Sequence, residues 1–469
     1  MIFYLAVTAS NDASSLENSS LRASTKNDDH CKEFSKLSID ELSKLERLTL
    51  NGCDIDSIPQ TIKFAQNLSF LDVGNNPRLT TLPNELSSCT RLEILFASNC
   101  KGIKTLPKVL GEMPSITRLG WRSGSLTSID PDGLPPNLVH LILTDNNIQR
   151  IDNEAIFERL RNTRKLMLSH NQISHFGDEE GSIIKLRNLE LLRIAGNKLT
   201  SIPDDLWTLP KLTWLTISGN PFMAKLKKVS KVPWIDENEL QSTGEYLGEG
   251  ASGKVTSYRL NNQAVAVKLI HGVTSDGKAE DELSVYGAVG PDGLNHRVVG
   301  CVALLNGHKK GAVMQQLPKN LEDLALPPTI VEVTEDRWSN WKNDTTFCAE
   351  FVKNVLTDVA NALQYLHNDV GVAHGDVYAH NMKVEKSTGR VYLLDFGASY
   401  FTGEYSEKAE KLEIKSFGVL IGELKARLNV KDDMFHRSLT NLQQQCQNED
   451  VKSRPTFTSV IEVLHNIKK

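Results

Sequence analysis

The stretch "LVHLILTDNNI", residues 138–148, decides the first half of the chain. Leu138, Leu141 and Leu143 stand at positions 1, 4 and 6, Asn146 at position 9 and Ile148 at position 11. Three apolar residues on a strand of this length cannot make a core alone. Copies of the unit stacked side by side bury them in a continuous ladder. Copies are present. The first positions fall at Leu45, Leu68, Leu92, Ile116, Leu138, Thr163, Leu189 and Leu212, with spacings of 23, 24, 24, 22, 25, 26 and 23 residues. Position 9 carries Cys53, Asn76, Cys100, Gly124, Asn146, Asn171, Asn197 and Asn220. A buried Asn amide there satisfies backbone groups left open where the chain leaves each strand. Turn-like "SIP" or "TLP" follows at 57–59, 81–83, 105–107 and 201–203. The fourth unit fits worst, with Trp121 in place of a smaller aliphatic residue.

Positions 3 and 5 of each strand are expected on the concave, solvent-facing side. They offer Phe70, Ile94, Phe96, Ile142, Met167, Leu191 and Trp214. Apolar residues aligned on one face mark a surface for a protein partner, with Phe70, Phe96, Ile142, Met167 and Trp214 as its main contacts.

Bulk properties narrow the field. The chain has 469 residues, 40% hydrophobic and 24% charged, with a formal net charge of −5. That balance gives no electrostatic footprint for nucleic acid or an anionic membrane. No apolar run approaches the ~20 residues that span a bilayer. The opening apolar run, Ile2 to Val7, lacks a basic residue before it and is too short for a typical secretory signal. Seven scattered cysteines without a CxxC read as reduced thiols in a cytoplasmic setting. Residues 1–40, rich in Ser, Asn and Asp, are expected to form a flexible tail, with repeats over 41–222. The four-lysine stretch "KLKKVSKVPW", 225–234, lies in a basic linker over 223–238 and reads as solvated chain.

From residue 239 the pattern changes. "LGEGASGKV", 247–255, stands before the β-branched strand "AVAVKLI", 264–270. Gly248, Gly250 and Gly253 lie between two candidate strands, where missing side chains let a hairpin close over phosphates. Leu247, Glu249, Ala251, Ser252 and Val255 complete that loop, with Ala266 on the next strand. Lys268, on that strand, can meet the α- and β-phosphates of a nucleotide. Glu282, on a helix-like segment over 278–289, can hold the Lys268 ammonium, with Glu280 as the rival. "GAVMQQLPKN", 311–320, reads as a strand ending at a hinge. Met314 would guard the back of an adenine site, and Gln316 would present backbone to the base. A long amphipathic helix follows, with Phe351, Val355, Val359, Leu363 and Leu366 in register.

The helix leads into "VAHGDVYAHN", 372–381, and then "VYLLDFGAS", 391–399. Asp376 is placed to accept a hydroxyl proton. Asn381 and Asp395 are placed to bind Mg²⁺.

Taken together, residues 239–469 resemble a eukaryotic-type protein kinase domain, nearer the tyrosine-kinase-like group. "LTNLQQQCQNEDVKSRPTFTSVIEVL", 439–464, is similar to that group's closing helices around an R-P-x-F signature. Residues 45–222 resemble leucine-rich repeats of the L-P type. The resemblance implies an α/β leucine-rich-repeat solenoid joined to an α+β bilobal kinase fold. It further implies ATP and Mg²⁺ as cofactors, a protein substrate, and transfer of the γ-phosphoryl to serine or threonine. Lys268 and Glu282 would act with Asp376, and the repeats would select the partner.

The departures are specific. The family's H-R-D reads His374-Gly375-Asp376, and the lost arginine normally pairs with activation-loop phosphate. Tyr378 stands where serine/threonine kinases place a lysine. His380 stands where tyrosine kinases place an arginine, and it would partly neutralise the γ-phosphate. Glu413 replaces the aspartate of "DxxSFG" and lies 18 positions after Asp395, with no A-P-E between them. Arg454 therefore needs a partner other than that glutamate. A trimmed substrate platform also admits a second reading, a pseudokinase scaffold that binds nucleotide and partners without efficient transfer.

Overall fold

The structure is a computed structural model. It describes residues 20–22, 34, 36–177, 182–226, 229–250, 253–270, 274, 276–307, 310–342, 345–429 and 434–467. The N-terminal apolar run, and Ala251 and Ser252 of the glycine loop, lie outside them. The chain divides into two compact units. One comprises residues 1–189 and 329–333, the other residues 190–328 and 334–469.

In the first unit the repeat periodicity becomes three-residue parallel strands. Arg47–Thr49, Phe70–Asp72, Ile94–Phe96, Arg118–Gly120, His140–Ile142 and Lys165–Met167 pair in sequence order without register slips. Every first-position residue is buried, including Thr163, whose hydroxyl donates to the Leu138 carbonyl at 3.2 Å. The Asn ladder works as the chemistry requires. Asn146 Nδ2 donates to the carbonyls of Trp121 (2.7 Å) and Leu143 (3.0 Å), while its Oδ1 accepts from Leu126 N at 3.0 Å. Asn171 repeats the pattern on Leu143 and Leu168, both at 2.9 Å. The irregular fourth unit is compensated within itself. Trp121 is fully buried, and a Cβ at residue 124 would lie 3.2 Å from its ring and 2.7 Å from Asn146 Oδ1. The glycine at position 9 makes room for the tryptophan at position 6.

Each "IP" or "LP" turn becomes a one-turn 3₁₀ helix. Pro59, Pro83 and Pro107 immediately precede Gln60–Phe64, Asn84–Ser88 and Lys108–Glu112. The missing proline N–H is no loss where a helix begins.

Several expectations for this unit are revised. The tail over residues 1–40 is not wholly irregular. Ser20–Arg22 pairs in parallel with Arg47–Thr49. Ser38 and Glu41 form a reciprocal capping box that starts the helix Ile39–Ser43. Cys53, expected as a free thiol, is disulfide-bonded. It sits half-exposed in a turn, whereas Cys89 and Cys100 are buried and free, with thiol pKa values pushed up to about 11 by burial. A buried, protonated thiol is inert, and an accessible one is not. The concave face is also not wholly open to partners. Arg118 donates to the carbonyls of Ile330 (2.7 Å) and Val331 (3.1 Å), and Lys165 to that of Val333 at 3.2 Å. The segment 329–333 of the same chain is thus seated there. Val333 holds φ at 64°, a conformation that β-branched residues adopt rarely.

The second unit begins with two further repeat strands, β1 (Leu191–Arg193) and β2 (Trp214–Thr216), paired in parallel. Then follow β3 (Gln241–Gly250), β4 (Gly253–Leu260), β5 (Gln263–Ile270), α1 (Ala279–Val289), β6 (Cys301–Asn306) and β7 (Gly311–Gln315). Their sheet runs in the order β6-β7-β5-β4-β3. The basic linker is not solvated throughout. Trp234–Asp236 adds a parallel edge strand beside β6, Lys231 N donates to the Gly287 carbonyl at 2.8 Å, and Val232 joins the core. The apolar residues between the lysines decide this. The rest of the unit is mainly helical, with α2 (Ala349–Tyr365), α3 (Ser406–Lys425), α4 (Met434–Cys446) and α5 (Phe457–Asn466), and short strands at Leu321–Asp323, Val372–Ala373, Met382–Glu385, Val391–Leu393 and Tyr400–Phe401. The expected face of α2, Phe351 to Leu363, is buried, and Leu366 just beyond it is fully buried. Among the described residues no helix is long and apolar enough to cross a membrane.

Candidate functional site

The glycine loop is the tip of the β3–β4 hairpin, in the register Gly248↔Val255, Glu249↔Lys254 and Gly250↔Gly253. A Cβ at residue 253 would strike the Leu269 carbonyl at 2.1 Å, so only glycine lets the hairpin close on β5. β5 places Ala266 opposite Met314 and Lys268 opposite Ala312 on β7. Ala266 and Met314 belong to the large core cluster, with Leu247 and Val255 packed against it. These four residues, expected at the nucleotide, are brought to one apolar cluster. Gln316 follows directly after β7, where Gln315 N donates to the Gly300 carbonyl at 2.9 Å.

Lys268 settles the choice of glutamate. Its ammonium donates to Glu282 Oε1 at 2.7 Å and to Asp395 Oδ1 at 2.9 Å. Glu280 instead pairs with Lys310. Burial works against the Lys268 charge, but Asp395, Tyr286 and Glu282 outweigh it and raise its pKa well above the usual value. Burial lifts the Glu282 carboxyl to about 7, against the pull of Lys268. Asp395 ends at about 2: burial alone would raise it, and Lys268 with the Gly397 N–H overcomes that. Lys268 and Asp395 are both charged at neutral pH, and Glu282 titrates close to it.

The catalytic-loop stretch lies between β strands and α3. Asp376 Oδ2 accepts from Asn381 Nδ2 at 3.1 Å, and its carbonyl accepts from the same amide at 2.9 Å. Asn381 O in turn accepts from Leu394 N at 2.9 Å, which sets Asn381 beside the strand that delivers Asp395. His374 bonds the Leu394 carbonyl at 2.8 Å through Nε2. Phe396 is fully buried, edge-on to Tyr286 of α1 at 4.9 Å. Asp395 itself has φ of 63°, a backbone state that tends to occur at functional sites.

The donors fit a divalent cation held with phosphates. Among the described residues neither Asp395 Oδ2 nor Asn381 Oδ1 is matched to a protein donor, and Asp395 keeps 35% of its side chain open. A Cβ at residue 250 would lie 3.8 Å from that Oδ2, so the loop backbone reaches it. No group of three or more His, Cys, Asp or Glu side chains among the described residues forms a metal site by itself. Two protein oxygens completed by phosphate and water suit Mg²⁺, which is bound through few protein ligands.

The departures from the family pattern also have structural answers. Gly375 has φ of 77°, and a Cβ there would meet the Ala398 carbonyl at 2.5 Å and the Leu215 carbonyl at 2.9 Å. No side chain fits. Its N–H donates to Glu413 Oε1 at 2.6 Å, while Glu413 Oε2 bonds His367 at 2.7 Å. Arg454 replaces its missing glutamate by three carbonyls, those of Asn448 (2.9 Å), Lys411 (3.0 Å) and Pro210 (3.1 Å). Burial brings its pKa down to about 10. His380 does not stand free for a phosphate. Its Nδ1 bonds Asp336 Oδ1 at 2.6 Å, and its N–H donates to the same carboxylate at 3.0 Å. Trp214 is not an open partner contact. It is 3% exposed and stacked on Tyr378. Leu191 is likewise buried.

One residue of this site was not foreseen. Arg193, the last residue of β1 and the fifth position of the repeat that starts at Leu189, donates to Asp376 Oδ1 at 2.8 Å. A search for apolar residues on the concave face passes over it. The available signal was an arginine on that face in a chain whose catalytic loop lacks its cations.

The comparisons agree with this geometry. Residues 242–417 match the protein kinase domain family, and residues 136–182 and 177–222 match the leucine rich repeat family. Receptor-like protein 35 of Arabidopsis thaliana is 28% identical over 291 residues, 49% of this chain and 30% of that protein. Osteomodulin of Bos taurus is 30% identical over 159 residues, 34% of this chain and 36% of that protein. Podocan-like protein 1 of Homo sapiens is 25% identical over 166 residues, 35% of this chain and 32% of that protein. The chain thus spans about a third of the length of these curated relatives. Fold and site together define a protein kinase domain. The chain is a leucine-rich-repeat protein that carries one.

Proposed function

We propose that this protein is an active kinase that phosphorylates protein hydroxyls, serine or threonine in preference to tyrosine. The observation that carries the reading is the assembled charge network: Lys268 bridging Glu282 and Asp395, with Asp376 and Asn381 bonded to each other. Phosphoryl transfer asks mainly for positioning and electrostatic stabilisation. Mg²⁺–ATP, when bound, supplies the phosphoryl group and a charge-neutralising cation. The chain's own residues do the rest. The hairpin tip covers the phosphates, and Lys268 orients them. Asp395 and Asn381 offer the metal-ligating oxygens. Asp376 orients the acceptor hydroxyl and takes its proton. The serine/threonine preference rests on the family resemblance, which lies nearer the tyrosine-kinase-like group. The repeats supply partner recognition through the half-buried Phe70, Phe96, Ile142 and Met167. Among the described residues Cys89, Cys100, Cys301, Cys348 and Cys446 are free thiols, which supports a reducing, cytoplasmic location, while the Cys53 disulfide weighs against it.

Purified protein with ATP and Mg²⁺ is expected to label itself. Asp376→Asn should slow that labelling by roughly 10²–10⁴-fold, as loss of a positioned base does. Equal labelling of the two proteins would establish the pseudokinase scaffold instead.

A further inference from the structure

We propose that Arg193, on a leucine-rich-repeat strand, is the positioning cation of the kinase catalytic loop. It holds the Asp376 carboxylate where the loop itself has no lysine or arginine to do so. The inference rests on the reading of Asp376 as the base of an active kinase.

Three loop positions that carry a lysine or arginine in related kinases do not carry one here. Residue 375 is glycine with no room for a side chain, and residue 378 is tyrosine. His380 is committed to Asp336. The guanidinium of Arg193 is the cation that meets Asp376 instead, with Nη2 at 2.8 Å from Oδ1. Asn381 takes Oδ2 from the other side at 3.1 Å. Two donors on two oxygens fix the plane of the carboxylate. Asp376 nevertheless keeps 16% of its side chain open. The arginine grips one edge and leaves the group reachable.

Arg193 is itself held rigidly. Nη1 donates to Thr216 Oγ1 at 2.6 Å and lies 3.4 Å from Asp276 Oδ1. The side chain is 6% exposed. Burial opposes its charge, and Asp276 with Asp376 outweighs that and keeps it protonated. A buried arginine is costly unless paired, and an apolar residue of similar volume is often as stable. A charge retained here is therefore better explained by what it touches than by stability. The same strand pair pins the neighbouring loop residues. Trp214 donates its indole N–H to the Val377 carbonyl at 3.1 Å and stacks on Tyr378. Gly375 permits the approach, since the Leu215 carbonyl would lie 2.9 Å from any Cβ.

The test compares full-length wild type, Arg193→Met, Arg193→Lys and Asp376→Asn in single-turnover self-labelling with Mg²⁺–ATP. Arg193→Met, of similar length but uncharged, should slow transfer by roughly 100-fold, as misplacing a reacting group does. Its half-saturating ATP concentration should stay within about twofold of wild type, because a group felt only in the transfer step leaves ground-state binding alone. Arg193→Lys keeps the charge and loses the fork, and should return the rate to within about tenfold of wild type. The proposal is overturned if Arg193→Met transfers as fast as wild type or faster, which would make the contact a cover over the base. It is overturned equally if lysine rescues no better than methionine, or if ATP binding weakens in step with the rate. Should Arg193→Met fail to fold, Arg193→Gln takes its place with the same expected and overturning outcomes. Failure of the kinase reading is separate: wild type and Asp376→Asn would then label equally, whatever residue 193 is.

Discussion

Trp214 lies flat on Tyr378, with ring centroids 4.0 Å apart and planes within 7° of parallel. One ring comes from a repeat strand and the other from the catalytic loop. Both are almost fully buried. Trp214→Ala should therefore destabilise this unit by about 3–5 kcal/mol, the usual cost of emptying a buried tryptophan site. Trp214→Phe keeps a stacked ring and loses the bond to Val377, a loss of about 1 kcal/mol. Urea denaturation followed by circular dichroism measures both. An unchanged midpoint for the alanine variant would show that the stack does not form.

Glu282 gives the site a pH signature. Burial raises its carboxyl from 4.5 to about 7 in the folded protein. Between those values the folded chain holds a proton that the unfolded chain has released. The contribution of this group to stability is therefore full below about 4.5 and is lost as pH rises through about 7. Its ion pair with Lys268 behaves oppositely and is complete only above about 7. Half-saturating ATP should fall as pH rises from about 6 to about 8. Glu282→Gln should flatten that profile. A profile identical in the variant would assign the titration to another group.

The activation segment needs no phosphate to hold its shape. Ser399, Tyr400 and Thr402 are buried. Ser399 donates its hydroxyl to the His374 carbonyl at 2.8 Å, Tyr400 pairs with Ala373, and Thr402 N donates to the Gly371 carbonyl at 3.0 Å. Phosphatase treatment should leave the transfer rate within about twofold of the untreated protein. Ser399→Glu should lower the melting temperature, because it buries a charge without a partner. A large loss of activity after phosphatase would refute the phosphate-free segment.

Gly375 offers a controlled comparison. Gly375→Ala meets a backbone carbonyl at 2.5 Å at a φ of 77°. Gly244→Ala is also made at positive φ, 75°, but nothing lies within 4 Å. The exposed change should cost about 1 kcal/mol, from backbone strain alone. Gly375→Ala should cost at least twice as much and slow transfer, since carbonyls cannot swing aside as a side chain can. Similar melting curves for the two variants would sink the argument.

Much of this was legible in the linear sequence because it is local. Leucine spacing, the prolines before the 3₁₀ turns, and the order of Lys268, Glu282, Asp376, Asn381 and Asp395 are all properties of short windows. The choice of Glu282 over Glu280 needed the helix phase, which the structure supplies. What could not be read depends on long-range closure. Arg193 and Asp376 are 183 residues apart, and nothing near either one names the other. Arg454 looked orphaned because backbone carbonyls, its actual partners, carry no sequence signal. His380 looked available because Asp336 lies 44 residues before it. The fifth strand position at Arg193 was legible as a place on the concave face. Its burial was not.

The close packing at residue 375 ties two parts of the chain together. Any side chain placed there meets the carbonyls of Ala398 and Leu215 at 2.5 and 2.9 Å, and main chain cannot swing aside. The catalytic loop and the repeat strand therefore constrain each other's sequence, and neither can be re-engineered alone.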